Sequence, residues 1–294
     1  MPELFALVTG VSTGIGRGIA QKLATKGMHV FGSVRKLEDA ASLVEAFADR
    51  FTPLVFDVRD EEAIRATVPF VTDIVGSAGL AGLVNNAGIG NSGPVMHVPM
   101  EHIRLLFDIN VFGALQVTRA FLPLLGTDKA YRKQPGRIVN ITSTSGRIAW
   151  PLNSTYAASK FALEALSDGL RRELVIYGIR VVVVEPGVVE TPIWTKHVGE
   201  LLTKSEDTPR TLYADTDFAP FYQAQAGTGR PRRPATVEAV GDAVWKALTA
   251  ATPRTRYMLP EGGWKHRLKL RYLFKHMPDE WTDRRISLQG RVPE

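Results

Sequence analysis

Two side chains that can exchange protons, those of Tyr156 and Lys160, stand four residues apart in a stretch whose pattern predicts a helix over 154–177. Residues i and i+4 share one face of a helix, so the phenol and the ammonium are expected to be neighbours. A nearby ammonium stabilises a phenolate and lowers the tyrosine pKa from about 10. Tyr156 is therefore a candidate general acid/base. Ser143 ends the preceding predicted strand, which is close enough in sequence to bring its hydroxyl to the tyrosine.

A glycine-rich turn, TGVSTGIG from Thr9 to Gly16, stands between the first predicted strand and the first predicted helix. Its spacing suits dinucleotide binding. Gly10 permits a tight turn, Gly14 lets the backbone approach a pyrophosphate, and Gly16 lets the helix pack close to the sheet. The phosphates then meet the positive end of the helix. A strand–helix turn that binds nothing is the alternative.

The elements that must position these residues alternate between strands and helices. Val181–Val184 is apolar at every position, which is typical of a strand covered on both faces. The pattern predicts an α/β fold with a Rossmann-type, doubly wound parallel sheet. The predicted strands are Leu4–Thr9, His29–Val34, Leu54–Val58, Leu80–Asn85, Arg137–Ser143, Arg180–Glu185 and Thr255–Leu259, and the predicted helices cover 15–26, 38–49, 60–76, 100–125, 154–177 and 236–250.

The predicted organisation is one catalytic and dinucleotide-binding domain over 1–260, which includes a proline-containing helical lid at 192–235, followed by a basic amphipathic extension over 261–294. Leu270, Leu273, Phe274 and Met277 form an apolar stripe in this extension, and Arg267, Arg271 and Lys275 lie on another face. The helix either packs on its own domain, covers the active site or a partner subunit, or lies on an anionic membrane surface.

Composition argues against several classes of protein and of functional site. The 294 residues contain no cysteine, which excludes disulfides, cysteine metal sites and cysteine nucleophiles, and no metal site is expected. The N-terminus lacks the pattern of a signal peptide and no run of about 18 apolar residues occurs, so we expect a cytoplasmic protein without a membrane span. The net charge is +6, and Arg254–Glu294 holds ten Lys/Arg against five Asp/Glu. Nucleic-acid binding is not expected, because no matching fold motif accompanies this basic tail.

Taken together, these motifs resemble the short-chain dehydrogenase/reductase family over roughly residues 4–192. The positions that match its catalytic set are Asn110, Ser143, Tyr156 and Lys160. The positions expected to bind cofactor are Gly10, Ser12, Thr13, Gly14, Ile15, Gly16, Ser33, Arg35, Asp57, Val58, Asn86, Ala87, Gly88, Tyr156, Lys160, Pro186, Gly187, Val189 and Thr191.

The resemblance implies a role for each catalytic position. Tyr156 exchanges a proton with the oxygen of the alcohol or carbonyl, and Ser143 hydrogen-bonds that oxygen in the manner of an oxyanion hole. Lys160 binds the nicotinamide ribose and lowers the tyrosine pKa. Asn110 holds a water that links Lys160 to solvent. The hydride comes from the nicotinamide, because no protein side chain can supply one.

The end of the second predicted strand indicates which nicotinamide cofactor is used. A carboxylate there binds the ribose 2′-hydroxyl of NAD, whereas an arginine accommodates the 2′-phosphate of NADP. The chain places Arg35 and Lys36 at this point, and its first acid is Glu38. Arg35 is expected to stack on the adenine and pair with the phosphate, with added hydrogen bonds from Ser12 and Ser33. NADP(H) is therefore favoured over NAD(H), the alternative being that the two basic residues only begin a solvated helix.

The segment around Tyr156 resembles the branch of the family that contains hydroxysteroid and retinol dehydrogenases, whose members often act on large apolar alcohols or ketones. The expected substrate wall consists of Ser143, Arg147, Trp150, Asn153, Tyr156, Val188 and Trp194. Aromatic lid residues such as Phe218 either close over an apolar substrate or pack the lid on the body. A small keto acid is less favoured, although Arg147 keeps that option open.

We therefore expect an NADP(H)-dependent oxidoreductase that interconverts a secondary alcohol and a ketone or aldehyde, with an apolar substrate such as a steroid or retinoid. The family resemblance also implies a homo-oligomer. One alternative is a non-catalytic sensor or scaffold that binds a nicotinamide nucleotide. Another is a peripheral membrane enzyme that is anchored by its C-terminal helix.

Overall fold

Parallel strands form one sheet in the order β3-β2-β1-β4-β5-β6-β7. The computed structural model describes residues 4–131, 134–189, 216–220 and 234–260. The strands are β1 Phe5–Val8, β2 His29–Val34, β3 Phe51–Val55, β4 Gly82–Asn85, β5 Arg137–Ile141, β6 Arg180–Pro186 and β7 Arg256–Leu259. The winding reverses between β1 and β4, which is the doubly wound Rossmann arrangement. The predicted fold class is confirmed.

The helices cover both faces of this sheet. They are α1 Gly14–Thr25, α2 Ala41–Ala46, α3 Glu61–Val75, α4 Met100–Phe107, α5 Ala114–Leu122, α6 Ser154–Glu173 and α7 Val237–Thr249. Along β1, Ala6 and Val8 belong to the apolar cluster under α1 and α7, whereas Phe5 and Leu7 belong to the cluster under α3 and α5. This alternation follows from the two-residue period of a strand. The continuous apolar run of β6 is buried throughout, as expected.

The third strand lies three residues earlier than predicted, at Phe51–Val55 and not Leu54–Val58. It contains Pro53, which argues against a central strand because proline has no N–H to donate. The position is tolerated because β3 is at the edge of the sheet and, among the described residues, pairs only with β2. Asp57 and Val58 consequently lie in the turn that follows the strand, where the Asp57 carboxylate accepts a hydrogen bond from the Arg59 amide at 2.9 Å.

The predicted helix over 100–125 contains an irregular segment. Asp108–Gly113, between α4 and α5, is a π-helical turn, and it carries Asn110. By length and composition the run from Met100 to Thr127 would suffice to cross a membrane. Half of its most apolar stretch is buried, and it packs against α3 and α6, as a core helix does.

The first helix is seated on the sheet by a close contact at Gly16. A Cβ there would lie 2.1 Å from the Gly10 carbonyl oxygen and 2.3 Å from Asn86 Nδ2. Gly10 itself has a φ of +70°, in the region that favours glycine. The turn therefore needs Gly10 for its backbone conformation and Gly16 for the space that the close contact leaves.

We expect Gly16→Ala to lower the melting temperature by several degrees, because overpacking of this kind costs about 1–3 kcal/mol and the nearest atom, the Gly10 carbonyl oxygen, belongs to the backbone. Gly169→Ala is the matched control, since its Cβ would meet only Glu173 Oε1 at 3.9 Å. Within α6 that change should be neutral or stabilising by about 0.5–1 kcal/mol. Thermal unfolding of both variants tests the contact, and equal melting temperatures would contradict it.

Candidate active site

A cleft of about 390 Å³ lies at the carboxyl ends of β1, β4, β5 and β6, beside the point where the winding reverses. Ligands of open α/β sheets bind at this point. The cleft is lined by the predicted cofactor residues Gly10, Ser12, Thr13, Gly14, Ile15, Gly16, Ser33, Arg35, Asp57, Val58, Asn86, Ala87, Gly88, Tyr156, Lys160, Pro186, Gly187 and Val189. Thr191 lies outside the described residues.

One hydroxyl holds the two sides of the cleft floor together. Thr9 Oγ1, at the end of β1, accepts hydrogen bonds from the amides of Asn86 and Ala87, both at 2.9 Å. The Asn86 side chain returns a bond to the Thr9 carbonyl oxygen at 2.9 Å. The glycine-rich turn is thus fixed against the end of β4 by both backbone and side-chain groups.

The floor of the cleft fits a pyrophosphate. The Thr13 side chain does not cap α1, and the first turn of this helix carries no acid. Its residues Gly14, Ile15 and Gly16 line the cleft, so the helix presents uncapped amides and its positive dipole end there. The Gly10 amide donates to Ser33 Oγ at 3.0 Å, which ties the turn to β2.

The adenosine end of the cleft has a basic and an acidic side chain. Arg35 follows β2, and Asp57 follows β3. Arg59 donates to both Asp57 oxygens, with Nε at 3.0 Å and Nη2 at 2.8 Å. Burial acts to raise the pKa of Asp57, but the hydrogen bonds from Arg59 outweigh it and the pKa lies below its ordinary value. Asp57 is therefore an anion that is already paired within the protein.

The proposed acid/base pair lies deep in the cleft. Tyr156 and Lys160 are both buried on one face of α6. Burial raises the pKa of Tyr156 to about 12, and a hydrogen bond with Ser143 opposes this rise. The expected lowering of this pKa by the ammonium is wrong for the structure described. Lys160 Nζ lies 5.7 Å from the ring centroid and donates to the Ile141 carbonyl oxygen at 3.1 Å, so the loss of solvent dominates.

The same burial acts on the lysine in the opposite direction. It lowers the pKa of Lys160 to about 8, against the charge of Glu164, which raises it. Near neutral pH the phenol is protonated and most of the amine is charged. The site therefore holds a proton on the phenol oxygen and a positive charge one helical turn away.

Asn110 contacts the loop after β4 and does not line the cleft. Its Oδ1 accepts from the Ile89 amide at 2.9 Å, and its Nδ2 donates to the Ile89 carbonyl oxygen at 3.0 Å and to Ser159 Oγ at 3.1 Å. The π-helical turn thus joins this loop to α6. The water relay through Asn110 stays a prediction.

The expected substrate residues are only partly in the cleft. Ser143 and Tyr156 line it, whereas Arg147, Trp150, Asn153 and Val188 do not, within the described ranges. Trp150 and Val188 are exposed, and Asn153 Nδ2 donates to Ser145 Oγ at 3.3 Å. Arg147 Nε donates to Glu185 Oε1 at 2.6 Å, so a protein carboxylate occupies this guanidinium, which weakens the keto-acid option. Trp194 lies outside the described residues.

Sequence reasoning missed a group of charged residues behind the catalytic set. Glu164, Glu185 and Arg256 join Arg147 beneath the turn that carries Ser143. The sequence did contain one indication that Glu164 belongs beside the catalytic set. Glu164 follows Lys160 at the same four-residue spacing as Lys160 follows Tyr156, so the three share a helix face. Arg256 had no such signal, since it comes from the last described strand.

The model of the family described as short chain dehydrogenase matches residues 4–200. The chain belongs to the short-chain dehydrogenase/reductase family. Among curated members, an NADPH-dependent 3-dehydrocapnine reductase of Ornithobacterium rhinotracheale is 42% identical over 87% of each chain. Retinol dehydrogenase 16 of Rattus norvegicus is 33% identical and 17-beta-hydroxysteroid dehydrogenase type 6 of Bos taurus is 34% identical, each over 90% of this chain and 82% of the relative. These relatives support the retinol and hydroxysteroid dehydrogenase-like branch.

Solved structures of family members have the same architecture. A short-chain dehydrogenase from Streptomyces avermitilis superposes with a TM-score of 0.76 at 30% identity, over 99% of both chains. An actinorhodin polyketide ketoreductase with NADPH gives a TM-score of 0.71 at 27% identity, over 88% of this chain and 95% of the other.

We expect Thr9→Val to destabilise the short-chain dehydrogenase fold by about 1–3 kcal/mol, because two partly buried amides lose their acceptor. Thr9→Ser keeps the oxygen and is the control. Denaturant unfolding measures the difference, and equal stability of the valine and serine variants would show that the shared hydroxyl does not fix the turn.

Proposed function

We propose that the chain is an NADP(H)-dependent oxidoreductase that interconverts a secondary alcohol and a ketone or aldehyde. The main support is that Ser143, Tyr156 and Lys160 line the same cleft as the glycine-rich turn, whose amides fit a pyrophosphate. The hydrogen bond between Ser143 and Tyr156 brings the two groups that would contact one substrate oxygen together. The presence of these three residues in one cleft argues against a non-catalytic sensor or scaffold.

The preference for NADP(H) rests on Arg35. This side chain and Ser33 line the cleft at the end of β2, where an NAD-specific site would carry an acid. The paired Asp57 is one strand away and is already neutralised by Arg59. The NADPH-dependent reductase and the NADPH-bound ketoreductase among the relatives support this choice. When bound, the cofactor supplies the hydride.

In the reducing direction, the protein's part is to supply a proton and to stabilise charge on the substrate oxygen. The phenol of Tyr156 is protonated at neutral pH, because burial raises its pKa, and it is placed to donate this proton. The Ser143 hydroxyl donates a hydrogen bond to the same oxygen as negative charge develops there. The ammonium of Lys160 binds the cofactor ribose and favours the phenolate that remains after proton transfer.

An apolar substrate is supported by exposed apolar side chains in segments that continue from cleft-lining residues: the loop after β4, the stretch between Ser143 and Tyr156, and the end of β6. Val95, Met96, Trp150 and Val188 are all exposed, with Met96 at 74%. The described lid segment 216–220 reaches this region, since the Phe218 ring lies edge-on to His97 at 5.9 Å between centroids. We therefore assign a large apolar carbonyl compound, such as a steroid or retinoid, as the substrate class.

A homo-oligomer also belongs to this proposal. Phe112 and Phe161, on the π-helical turn and on α6, are 50% and 43% exposed, and burial against a second copy would remove this apolar area from water. A cytoplasmic location and membrane-surface contact by residues 261–294 stay predictions, and that segment lies outside the described residues.

Tyr156→Phe removes the only hydroxyl of this side chain and leaves its ring in place. We expect it to reduce turnover by at least about a hundredfold, which is the lower end for loss of a general acid, while NADPH still binds. Initial rates and fluorescence titration with NADPH measure the two effects. Retained turnover would reject the assignment of Tyr156.

Arg35→Asp should shift cofactor preference from NADPH towards NADH, because the carboxylate repels the 2′-phosphate and accepts from a 2′-hydroxyl. Lys36→Asp is the matched control, since it makes the same charge change at a residue that does not line the cleft. The ratio of kcat/KM for the two cofactors is the readout. An unchanged ratio in Arg35→Asp, or an equal shift in both variants, would remove Arg35 from this role.

A further inference from the structure

A stripe of four ionisable residues runs along the inner face of α6. Tyr156, Lys160, Glu164 and Asp168 follow one another at intervals of four residues. The first two belong to the catalytic set. Glu164 is the third, and it is 6% exposed, which is unusual for a carboxylate unless it is paired.

Glu164 binds the strand that carries the catalytic serine. Thr142 Oγ1 donates to Glu164 Oε1 at 2.6 Å, and Thr142 immediately precedes Ser143. From the far side, Arg256 Nε of β7 donates to Glu164 Oε2 at 3.1 Å. Each oxygen of the carboxylate therefore has its own donor, from a different strand.

The turn after Ser143 is pressed against the same part of the helix. A Cβ on Gly146 would lie 3.0 Å from Glu164 Cγ and 3.2 Å from the Lys160 carbonyl oxygen. Arg147, the next residue, places Nη2 3.7 Å from Glu164 Oε2. The serine turn thus meets α6 at the level of Lys160 and Glu164, by close packing and by charge.

The remaining charged groups balance this cluster. Glu185 of β6 pairs with Arg147 at 2.6 Å and lies 3.7 Å from Arg256 Nε. Asp168 of α6 pairs with Arg256 Nη2 at 2.6 Å. Burial raises the pKa of Glu185, and the charge of Glu164 adds to this rise, whereas the two arginines oppose it. Glu164 and Glu185 can thus lie close together because Arg147 and Arg256 each contact both carboxylates.

We propose that Glu164 is a positioning residue of the active site, which fixes Ser143 through Thr142 and places a negative charge one helical turn from the buried ammonium of Lys160, while Arg256 and Arg147 hold it in place. The inference rests on the proposed function and assigns a role to a residue outside its reacting set. Glu164 does not line the cleft, whereas Thr142 and Lys160 do, so it acts through these two residues.

Loss of the negative charge of Glu164 should lower the pKa of Lys160. Burial lowers the pKa of this lysine to about 8 and Glu164 raises it. The ammonium form, present below that pKa, is the form that binds ribose and assists proton transfer. Activity should therefore fall as pH rises through about 8, and removal of the carboxylate charge should move this fall to lower pH. The titratable neighbours are Tyr156 beside the lysine, and Arg147, Asp168, Glu185 and Arg256 around Glu164.

Glu164→Gln is the primary test, because the amide oxygen still accepts from Thr142 while the charge is lost. We expect the alkaline limb of kcat/KM to move down by about one pH unit. We expect kcat/KM at pH 7 to fall about twofold, because about half of the Lys160 amine would then be neutral. Asp168→Asn is the matched control. It removes the same charge one turn further along α6, where the described partners are Arg171, Arg172 and Arg256.

Asp168→Asn should lower stability without moving the alkaline limb. An unmoved limb in Glu164→Gln, or an equal shift in both variants, would overturn the proposal. If Glu164→Gln does not fold, Thr142→Val and Thr142→Ser test the contact from its other side. The valine variant should lose kcat about tenfold and the serine variant should retain it, and equal kcat in the two would again overturn the role.

The pH dependence of NADPH binding gives a reading that needs no turnover. Lys160 is expected to bind the ribose only as the ammonium, so the dissociation constant measured by fluorescence should rise above pH 8 in the wild type and at lower pH in Glu164→Gln. If the wild type binds NADPH in this way but reduces no carbonyl compound, the proposed function fails and the role of Glu164 toward Lys160 is still tested.

Discussion

A lysine ammonium held inside the protein is the constraint on which the active site depends. Lys160 is 4% exposed, and the loss of water lowers its pKa to about 8. The charge is retained near neutral pH because the Ile141 carbonyl oxygen accepts a hydrogen bond from it and a carboxylate lies one turn along the helix. That carboxylate is itself buried, so two arginines must accompany it. The charges behind the cleft are thus a consequence of burying one amine at its inner end.

The sheet brings these groups together because the carboxyl ends of parallel strands meet at one edge. β1 is followed by Thr9 and the glycine-rich turn, β4 by Asn86, and β5 by Thr142 and Ser143, and β6 ends at Pro186. The segments after these strands line the cleft, and the helices bury the apolar side chains of the strands themselves. Tight backbone contacts then replace side chains on the cleft floor, which leaves helix amides available to a phosphate group. The chemistry of the site is therefore set by strand ends and by one helix face.

Sequence reasoning recovered the sheet and the glycine-rich turn, and it placed Tyr156 and Lys160 on one helix face, because each of these depends on local spacing. The second strand was predicted with its observed bounds, and every predicted cofactor residue in the described ranges lines the cleft. Predictions were wrong where the local structure or a pKa depends on residues far away in the sequence. β3 was misplaced because an edge position tolerates Pro53, and the π-helical turn at Asn110 has no periodic signal. The sign of the tyrosine pKa shift was wrong because burial, which depends on the whole fold, outweighs a neighbouring charge.

The most direct test of the account is oxidation of NADPH, with NADH in parallel, followed by absorbance against a panel of carbonyl compounds from small ketones to steroids and retinoids. The account predicts faster oxidation of NADPH than of NADH, with turnover on the large apolar members. Oxidation of neither cofactor by any member of the panel would contradict the assignment as an oxidoreductase.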